Sequence, residues 1–194
     1  MTVSLHIGLP PHLRAEAVEL YWQAFGGKLG RVMGPERLAL RFLTRVLRGD
    51  HAIVALDAKG GLLGMAGFKT PAGSFAGGEM ADVLAIYGKL GAAWRLPLLW
   101  MLGHEVDNDR FLLDGICVVR GARGHGIGSA LMHAIEAEAV ARGYEQVRLD
   151  VIDSNWRAKA LYLRLGYTVE KTDDIGLLRF AFGFRSATTM VKPL

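Results

Sequence analysis

The chain has 194 residues, of which 51% are hydrophobic, and this size is sufficient for one domain with a full core. It contains 23 basic and 19 acidic residues, with no run of like charges long enough to indicate a nucleic-acid tail. The single cysteine, Cys117, excludes an internal disulfide, and the six histidines show no zinc-ligand spacing. We therefore expect one domain over residues 1–194 in the reducing cytoplasm, with no metal and no nucleic-acid partner.

Neither the beginning of the chain nor its most apolar segment predicts contact with a membrane. Met1–Leu9 lacks the basic start and the apolar stretch of a secretory signal. Ala81–Gly103 is strongly apolar but contains three charged residues and Pro97, whereas a membrane span needs about 20 apolar residues with few charges. The sequence therefore predicts a protein without a membrane partner.

The first elements in chain order are a strand and two helices. Val3–Ile7 alternates apolar and polar residues, as a half-buried strand does. Apolar residues recur at helical spacing over Leu13–Phe25, and Gly26-Gly27 predicts the end of that helix. Pro35 begins a second predicted helix, with Gly49 at its end.

The next elements are a hairpin and an apolar helical segment. His51–Leu56 and Leu62–Lys69 are β-prone and joined by a short glycine-containing connection, which predicts adjacent antiparallel strands. We expect Ala72–Gly78 to be a flexible loop and Met80–His104 to form one or two helices with an unusually apolar surface. Such a surface must be covered, so we expect the segment to belong to the core; two alternatives are that it walls the acceptor pocket or forms the contact of a homodimer.

The second half of the chain predicts alternating strands and helices. Its predicted helices are Gly126–Arg142 and Asn155–Leu165, each followed by a glycine that ends it. The last strand is expected to carry a bulge near Gly183. The predicted strands are Phe111–Val119, Gln146–Ile152, Tyr167–Lys171 and Leu178–Val191.

A glycine-rich segment between a predicted strand and a predicted helix is the most informative part of the sequence. Gly124, Gly126 and Gly128 alternate there, so the backbone is free to curl around an anion with its N–H groups turned inward. The helix N-terminus contributes about half a positive charge, and Arg123 adds a side-chain donor. This pattern predicts a phosphate-binding loop.

Two common phosphate-binding motifs do not fit these residues. The dinucleotide fingerprint needs a third glycine where this chain has Ser129, and no acidic residue follows at the usual distance. The P-loop needs lysine after its last glycine, but Ile127 follows Gly126.

The arrangement that does fit is Arg-Gly-x-Gly-x-Gly, at Arg123–Gly128, between a hydrophobic strand and an alanine- and leucine-rich helix. It resembles the pyrophosphate loop of the GNAT superfamily of acetyl-CoA-dependent N-acetyltransferases. A second block, Asn155–Tyr167, resembles the family's Asn, Ala, Leu-Tyr, Leu-Gly-Phe/Tyr helix. The resemblance implies transfer of an acetyl group from acetyl-CoA to the amine of a small molecule or peptide.

The resemblance also implies an α/β (α+β) fold. We expect a mixed, mostly antiparallel sheet of about seven strands flanked by helices. The sheet should be splayed between its fourth and fifth strands, Phe111–Val119 and Gln146–Ile152, and acetyl-CoA should enter this split.

Residue roles follow from the same resemblance. The backbone of Val118 and Val119 would pair with the pantetheine arm, and Asn155 would bond the same arm. Tyr162 would donate a proton to the departing thiolate, as a phenol of pKa about 10 is able to do. The pyrophosphate would be held by the amides of Arg123, Gly124, His125, Gly126, Ile127, Gly128 and Ser129.

The reaction also needs a group that removes a proton from the acceptor amine. Asp114 is our candidate, because a period of two places it on the same strand face as Ile116 and Val118. Asp150 on the neighbouring strand is the rival. Two other functions stay open, namely an acyl-CoA-binding or regulatory protein without turnover and a nucleotide-binding module.

Overall fold

The computed structural model describes residues 2–103 and 109–194. The strands are β1 Val3–Ile7, β2 Ala52–Asp57, β3 Leu62–Thr70, β4 Gly73–Ser74, β5 Phe111–Val118, β6 Gln146–Ile152, β7 Thr168–Asp174 and β8 Ser186–Pro193. The helices are α1 Arg14–Met33, α2 Glu36–Val46, α3 Met80–Gly103, α4 Ile127–Ala141, α5 Trp156–Arg164 and α6 Arg179–Phe182.

The described strands form one mixed sheet in the order β1-β2-β3-β5-β6-β8-β7, with β4 paired to β3. All neighbours are antiparallel except β5 and β6, which are parallel and pair only at Phe111 with Val147 and at Leu112 with Arg148. Beyond Leu112 the two strands separate, so the predicted splay is confirmed. The eighth strand, absent from the predicted set of about seven, is the two-residue β4.

Helices cover both faces of this sheet. On β2, Ile53 and Ala55 pack in the cluster that contains Leu131 of α4, whereas Val54 packs with Tyr21 of α1. This alternation follows from the period of two along a strand. Helices α1 and α2 therefore form a layer on one face of the sheet, and α4 lies on the other face. The gap between β5 and β6 is in the sheet, between these two layers.

Helix α1 is longer than the sequence predicts, because it continues through Gly26 and Gly27 to Met33. Glycine weakens a helix by only about 1 kcal/mol relative to alanine, which tertiary packing outweighs. The Trp22 ring covers Gly26, and Val32 and Met33 are buried at the end of the extension. The prediction that Gly26-Gly27 ends this helix was wrong.

Two other local predictions also need correction. The predicted flexible loop Ala72–Gly78 contains β4, and its Phe75 side chain is only 1% exposed. The predicted last strand from Leu178 instead begins with α6, and Gly183 ends that helix in a left-handed conformation. Strand β8 starts at Ser186 because Phe182 and Phe184 pack with Val32 of α1 in a small core of their own.

Helix α3 consists of two helical segments that meet at Gly88, where the backbone has φ 66° and ψ 176°. No helix in the described part of the chain has the length and apolar composition needed to cross a membrane. His104, the predicted end of this segment, lies outside the described residues. The prediction of one or two helices in this segment is confirmed for the described residues.

Candidate active site

A β-bulge places Asp114 at the inner end of the gap between β5 and β6. Gly67 pairs with Gly115 and Phe68 pairs with Leu113, so Asp114 is an extra residue on β5. An extra residue reverses the alternation of side chains along its strand.

The bulge changes the face of β5 on which the Asp114 side chain lies. Ile116 and Val118 pack in the core under α4, whereas Asp114 faces the α1 side and accepts a hydrogen bond from the Ala76 backbone N–H at 2.9 Å. Asp114 is therefore on the face opposite to Ile116 and Val118, and the prediction that the three share a face was wrong. A strict period of two does not hold across a bulge.

Burial raises the pKa of Asp114 above its ordinary value. The hydrogen bond from Ala76 and the positive charges of Lys69 and Lys28 act in the opposite direction, but they do not reverse the shift. A carboxylate that is partly desolvated is a stronger base than one in water. The site therefore offers a proton acceptor within the fold.

Asp150, the rival base, lies on β6 across the gap. Its Oδ1 accepts a hydrogen bond from Thr189 Oγ1 at 2.6 Å, and its Oδ2 lies 3.5 Å from an Arg148 guanidinium nitrogen. The Asp150 side chain is 46% exposed, so water solvates its carboxylate. These contacts favour Asp114 over Asp150 as the base.

A large cavity opens in front of both carboxylates. It encloses about 1450 Å³ and is bounded by the β5 and β6 side of the sheet, by α1 and α2, and by α3. Asp114, Asp150 and Lys28 line its polar part. Helix α3 contributes Val83, Leu96 and other residues to its wall, and Val83 also packs in a core cluster with α2.

Lys28 is a site residue that the sequence argument missed. It lies on the α1 extension beyond Gly26-Gly27, where the sequence predicted no helix. Burial lowers its pKa, while the charges of Asp114 and Asp150 oppose that shift. A helical spacing continued from Leu20 and Tyr21 is the signal that would have placed Lys28 on the cavity side.

The glycine-rich segment joins β5 to α4 beside the other end of the gap. The first hydrogen bond of α4 runs from Ala130 N–H to Gly126 O, so the amides of residues 127–129 precede it and have no partner within the helix. Ile127 is 2% exposed and packs in the core, which leaves only its amide for a ligand. The geometry is that of an anion site at a helix N-terminus.

Gly124 and Gly126 give this loop its curvature. Their φ angles are +83° and +80°, in the left-handed region that other residues rarely adopt. Gly128 has a different role, because a Cβ added there would lie 3.3 Å from Leu161 of α5. The first two glycines thus orient the amides, and the third allows α5 to pack closely.

The flanking residues of the loop show how it is held. Arg123 Nε donates to Val118 O at 3.0 Å, and His125 Nδ1 lies 3.0 Å from Arg123 O. Val119 N–H donates to Leu63 O on β3 at 2.8 Å. Because bonded and non-bonded pairs alternate in an antiparallel ladder, Val118 N–H points away from β3 and toward the gap. The N–H of Val118 thus points into the gap, whereas that of Val119 is used within the sheet.

The two candidate site residues of the second sequence block, Asn155 and Tyr162, lie at the start of helix α5 and within it. Asn155 is its N-cap, and its Oδ1 accepts from Ala158 N–H at 3.4 Å, which leaves its amide nitrogen for another partner. Tyr162 is 5% exposed, and its ring centroid lies 5.9 Å from that of Tyr167. Burial raises the pKa of Tyr162, so its hydroxyl keeps its proton. Tyr162 does not line the large cavity.

Cys117 does not add a nucleophile to this site. Its side chain is buried among α1 and β3 residues, and burial raises its pKa to about 12. A thiol with that pKa is protonated at neutral pH, so it packs as a small hydrophobic residue. Among the described residues there is also no cluster of His, Cys, Asp or Glu suited to a metal ion.

The buried Asp114 carboxylate predicts a stability effect with a defined pH dependence. Its pKa is higher in the folded protein than in the unfolded chain, so the ionised carboxylate opposes folding above both values. We expect Asp114→Asn to raise Tm at about pH 7, and the gain to shrink as the pH falls through the raised pKa of the folded state toward about 3, where both states bind the proton. Scanning calorimetry across this range measures the difference, and a variant less stable than the parent at about pH 7 would contradict it.

Comparison with known proteins agrees with this fold. The family model described as Acetyltransferase (GNAT) family matches residues 14–167. No curated protein matches the sequence.

Solved structures of N-acetyltransferases are similar in fold. One from Staphylococcus aureus has 13% identity and a TM-score of 0.66, covering 97% of this chain and 100% of its own. One from Kribbella flavida has 17% identity and a TM-score of 0.60, with 99% and 98% coverage. The ribosomal-protein-S18-alanine N-acetyltransferase from Escherichia coli has 17% identity and a TM-score of 0.59, with 99% and 94% coverage. Since the family model spans both the glycine-rich loop and helix α5, the chain belongs to the GNAT acetyltransferase family.

Proposed function

We propose that this protein transfers an acetyl group from acetyl-CoA directly to the amine of a small molecule or peptide. The observation that carries the proposal is the loop at the start of α4, whose amides at residues 127–129 have no partner within the helix, beside a gap that leads to Asp114. A diphosphate fits the loop because its charge is stabilised by N–H groups and by the helix dipole. The gap between β5 and β6 gives the extended arm of the cofactor a path to the cavity.

Four residues of the chain would then share the chemistry. Asp114 accepts a proton from the acceptor amine, so that the nitrogen lone pair attacks the thioester carbon. The C–S bond breaks as the new C–N bond forms, and Tyr162 donates its proton to the departing thiolate. Val118 N–H and Asn155 bind and orient the arm that carries the thioester. The acceptor loses two protons in all: Asp114 takes the ammonium proton and passes it to solvent, and nitrogen loses a second proton after the attack. This second proton balances the one that Tyr162 gives to the thiolate.

Calorimetry with CoA and a thiol-release assay with a panel of amines test this proposal together. We expect saturable CoA binding and release of thiol that depends on an added amine. Binding of CoA without turnover of any amine would favour the acyl-CoA-binding or regulatory protein. Displacement of CoA by ATP or NAD would favour a nucleotide-binding module, and absence of CoA binding by folded protein would overturn the proposal.

The role of Tyr162 yields a separate prediction. Tyr162→Phe keeps the buried ring but removes the hydroxyl that donates the proton, so kcat is expected to fall about 100-fold while CoA affinity stays unchanged. Burial already holds the hydroxyl in its protonated form, which is the form that a proton donor needs. Steady-state kinetics and CoA calorimetry measure the two quantities. The matched control is Tyr167→Phe, which removes the neighbouring hydroxyl and is expected to leave kcat within about threefold of the parent.

A further inference from the structure

The cavity in front of Asp114 has a polar end at the sheet. Asp114 on β5 and Asp150 on β6 lie there, with Lys28 of α1 interacting electrostatically with both. Thr189 of β8 adds the hydroxyl that hydrogen-bonds Asp150. An ammonium group entering the cavity meets two carboxylates at this end.

Most of the remaining wall is apolar, apart from Lys69, Ser74 and Asp173, and two side-chain clusters supply much of it. One cluster joins α1, α2 and α3 and contributes Met33, Phe42 and Leu96 to the wall. The other surrounds Phe184 and includes Ile152. A polar substrate body would lose its hydrogen bonds to water against these walls, which costs free energy, whereas a hydrocarbon body gains from the same contact.

Asp173 is the carboxylate in the wall that could hold a second cationic group of a substrate. Its Oδ2 lies 3.0 Å from Lys171 Nζ, and its side chain is 60% exposed. A carboxylate that is paired and solvated attracts a further cation weakly. The wall therefore favours a substrate with one amine and not a polyamine.

We infer that the acceptor is a primary amine with a single cationic head and a bulky hydrocarbon body, either alkyl or aryl. The head lies at Asp114, and the body fills the space between Phe42, Leu96 and Phe184. The cavity volume of about 1450 Å³ leaves room for a body of several carbons beside the end of the cofactor arm. This inference rests on the proposed acetyl transfer for its chemistry but depends only on the cavity for its binding preference.

Two series of amines test the inference. The n-alkylamines from propylamine to octylamine have the same head and nearly the same basicity, and they differ only in hydrocarbon length. We expect affinity to rise roughly fourfold with each added methylene until the cavity is filled. The α,ω-diamines of equal length place a second ammonium against the apolar wall, so their affinity is expected to stay flat.

Trp22 and Trp100 line the cavity, so tryptophan fluorescence reports amine binding with or without CoA. Binding is measured in both states, and kcat/KM is measured where turnover occurs. If CoA does not bind, the proposed acetyl transfer fails, yet the chain-length trend in fluorescence still decides the inference. A flat alkylamine series, or diamines that bind as tightly as the monoamines, would overturn it.

A matched pair of variants on α3 locates the hydrocarbon body. Ala93 lines the cavity, whereas Ala81 on the same helix is exposed and does not line it. Ala93→Phe fills space in the wall, so octylamine affinity is expected to fall at least about tenfold while propylamine affinity is retained. Ala81→Phe is expected to change neither. Equal loss for both amines in Ala93→Phe, with unchanged Tm, would show that the chain does not lie there.

Discussion

Replacing Gly126 by alanine is expected to weaken CoA binding about tenfold. The residue has φ +80°, and an L-residue in this region costs about 1–2 kcal/mol. No atom lies within 4 Å of the added Cβ, so the loss comes from the backbone alone. To relieve the strain the loop must rotate, which turns the amides before Ala130 away from the anion. Since 1.4 kcal/mol corresponds to a factor of ten, calorimetric titration with CoA resolves the effect.

Gly121→Ala is the matched control for this experiment. Gly121 lies in the same connection between β5 and α4, also has no atom near the added Cβ, and does not have a positive φ. We expect its CoA affinity to equal that of the parent. If Gly126→Ala bound CoA as tightly as Gly121→Ala, the loop would not be the diphosphate site.

The second large effect concerns Asp114. Asp114→Asn preserves the shape of the side chain and an oxygen that accepts from Ala76 N–H, but it removes the basic group. General base catalysis contributes about 100-fold or more, so kcat/KM at about pH 7 is expected to fall by that factor. CoA affinity should stay unchanged, because the loop of α4 is at the other end of the gap.

The pH dependence of the parent enzyme provides an independent readout of the same group. Asp114 acts as a base only when ionised, so kcat/KM is expected to fall as the pH drops through its raised pKa. This acidic limb should be missing from the residual activity of Asp114→Asn. Persistence of the limb in the variant would assign it to another group.

Asp150→Asn separates the two candidate bases. Asp150 is more exposed and is already bound to Thr189, so we expect its replacement to lower kcat/KM by less than about tenfold. If Asp150→Asn lowered kcat/KM as much as Asp114→Asn does while CoA affinity stayed unchanged, Asp150 would be the base.

Local sequence patterns predicted most elements of this fold because their causes are local. The apolar spacing of α4 and the glycine that ends α5 depend on neighbours within a few residues. Where tertiary packing outweighs such signals, prediction failed. Gly26 lies inside α1 because Trp22 covers it and the helix end is buried.

Some features of the candidate site were likewise predicted from local sequence, and others were not. Three alternate glycines before a helix predicted the phosphate loop, and the structure gives two of them the left-handed backbone that such a loop needs. The identity of Asp114 as a candidate was predicted, but its face was not. A bulge is set by pairing with β3, in particular by Gly67 opposite Gly115, which the sequence of β5 alone does not encode.

The sequence by itself determined the family resemblance, the order of the main elements and the position of the glycine-rich loop, since each follows from residues close together in the chain. Only the tertiary structure decided which side of the sheet Asp114 occupies, that Lys28 lies beside it, and that α3 walls the cavity. These are contacts between segments distant in sequence. Their free energies depend on packing and on desolvation, and neither exists until the chain has folded.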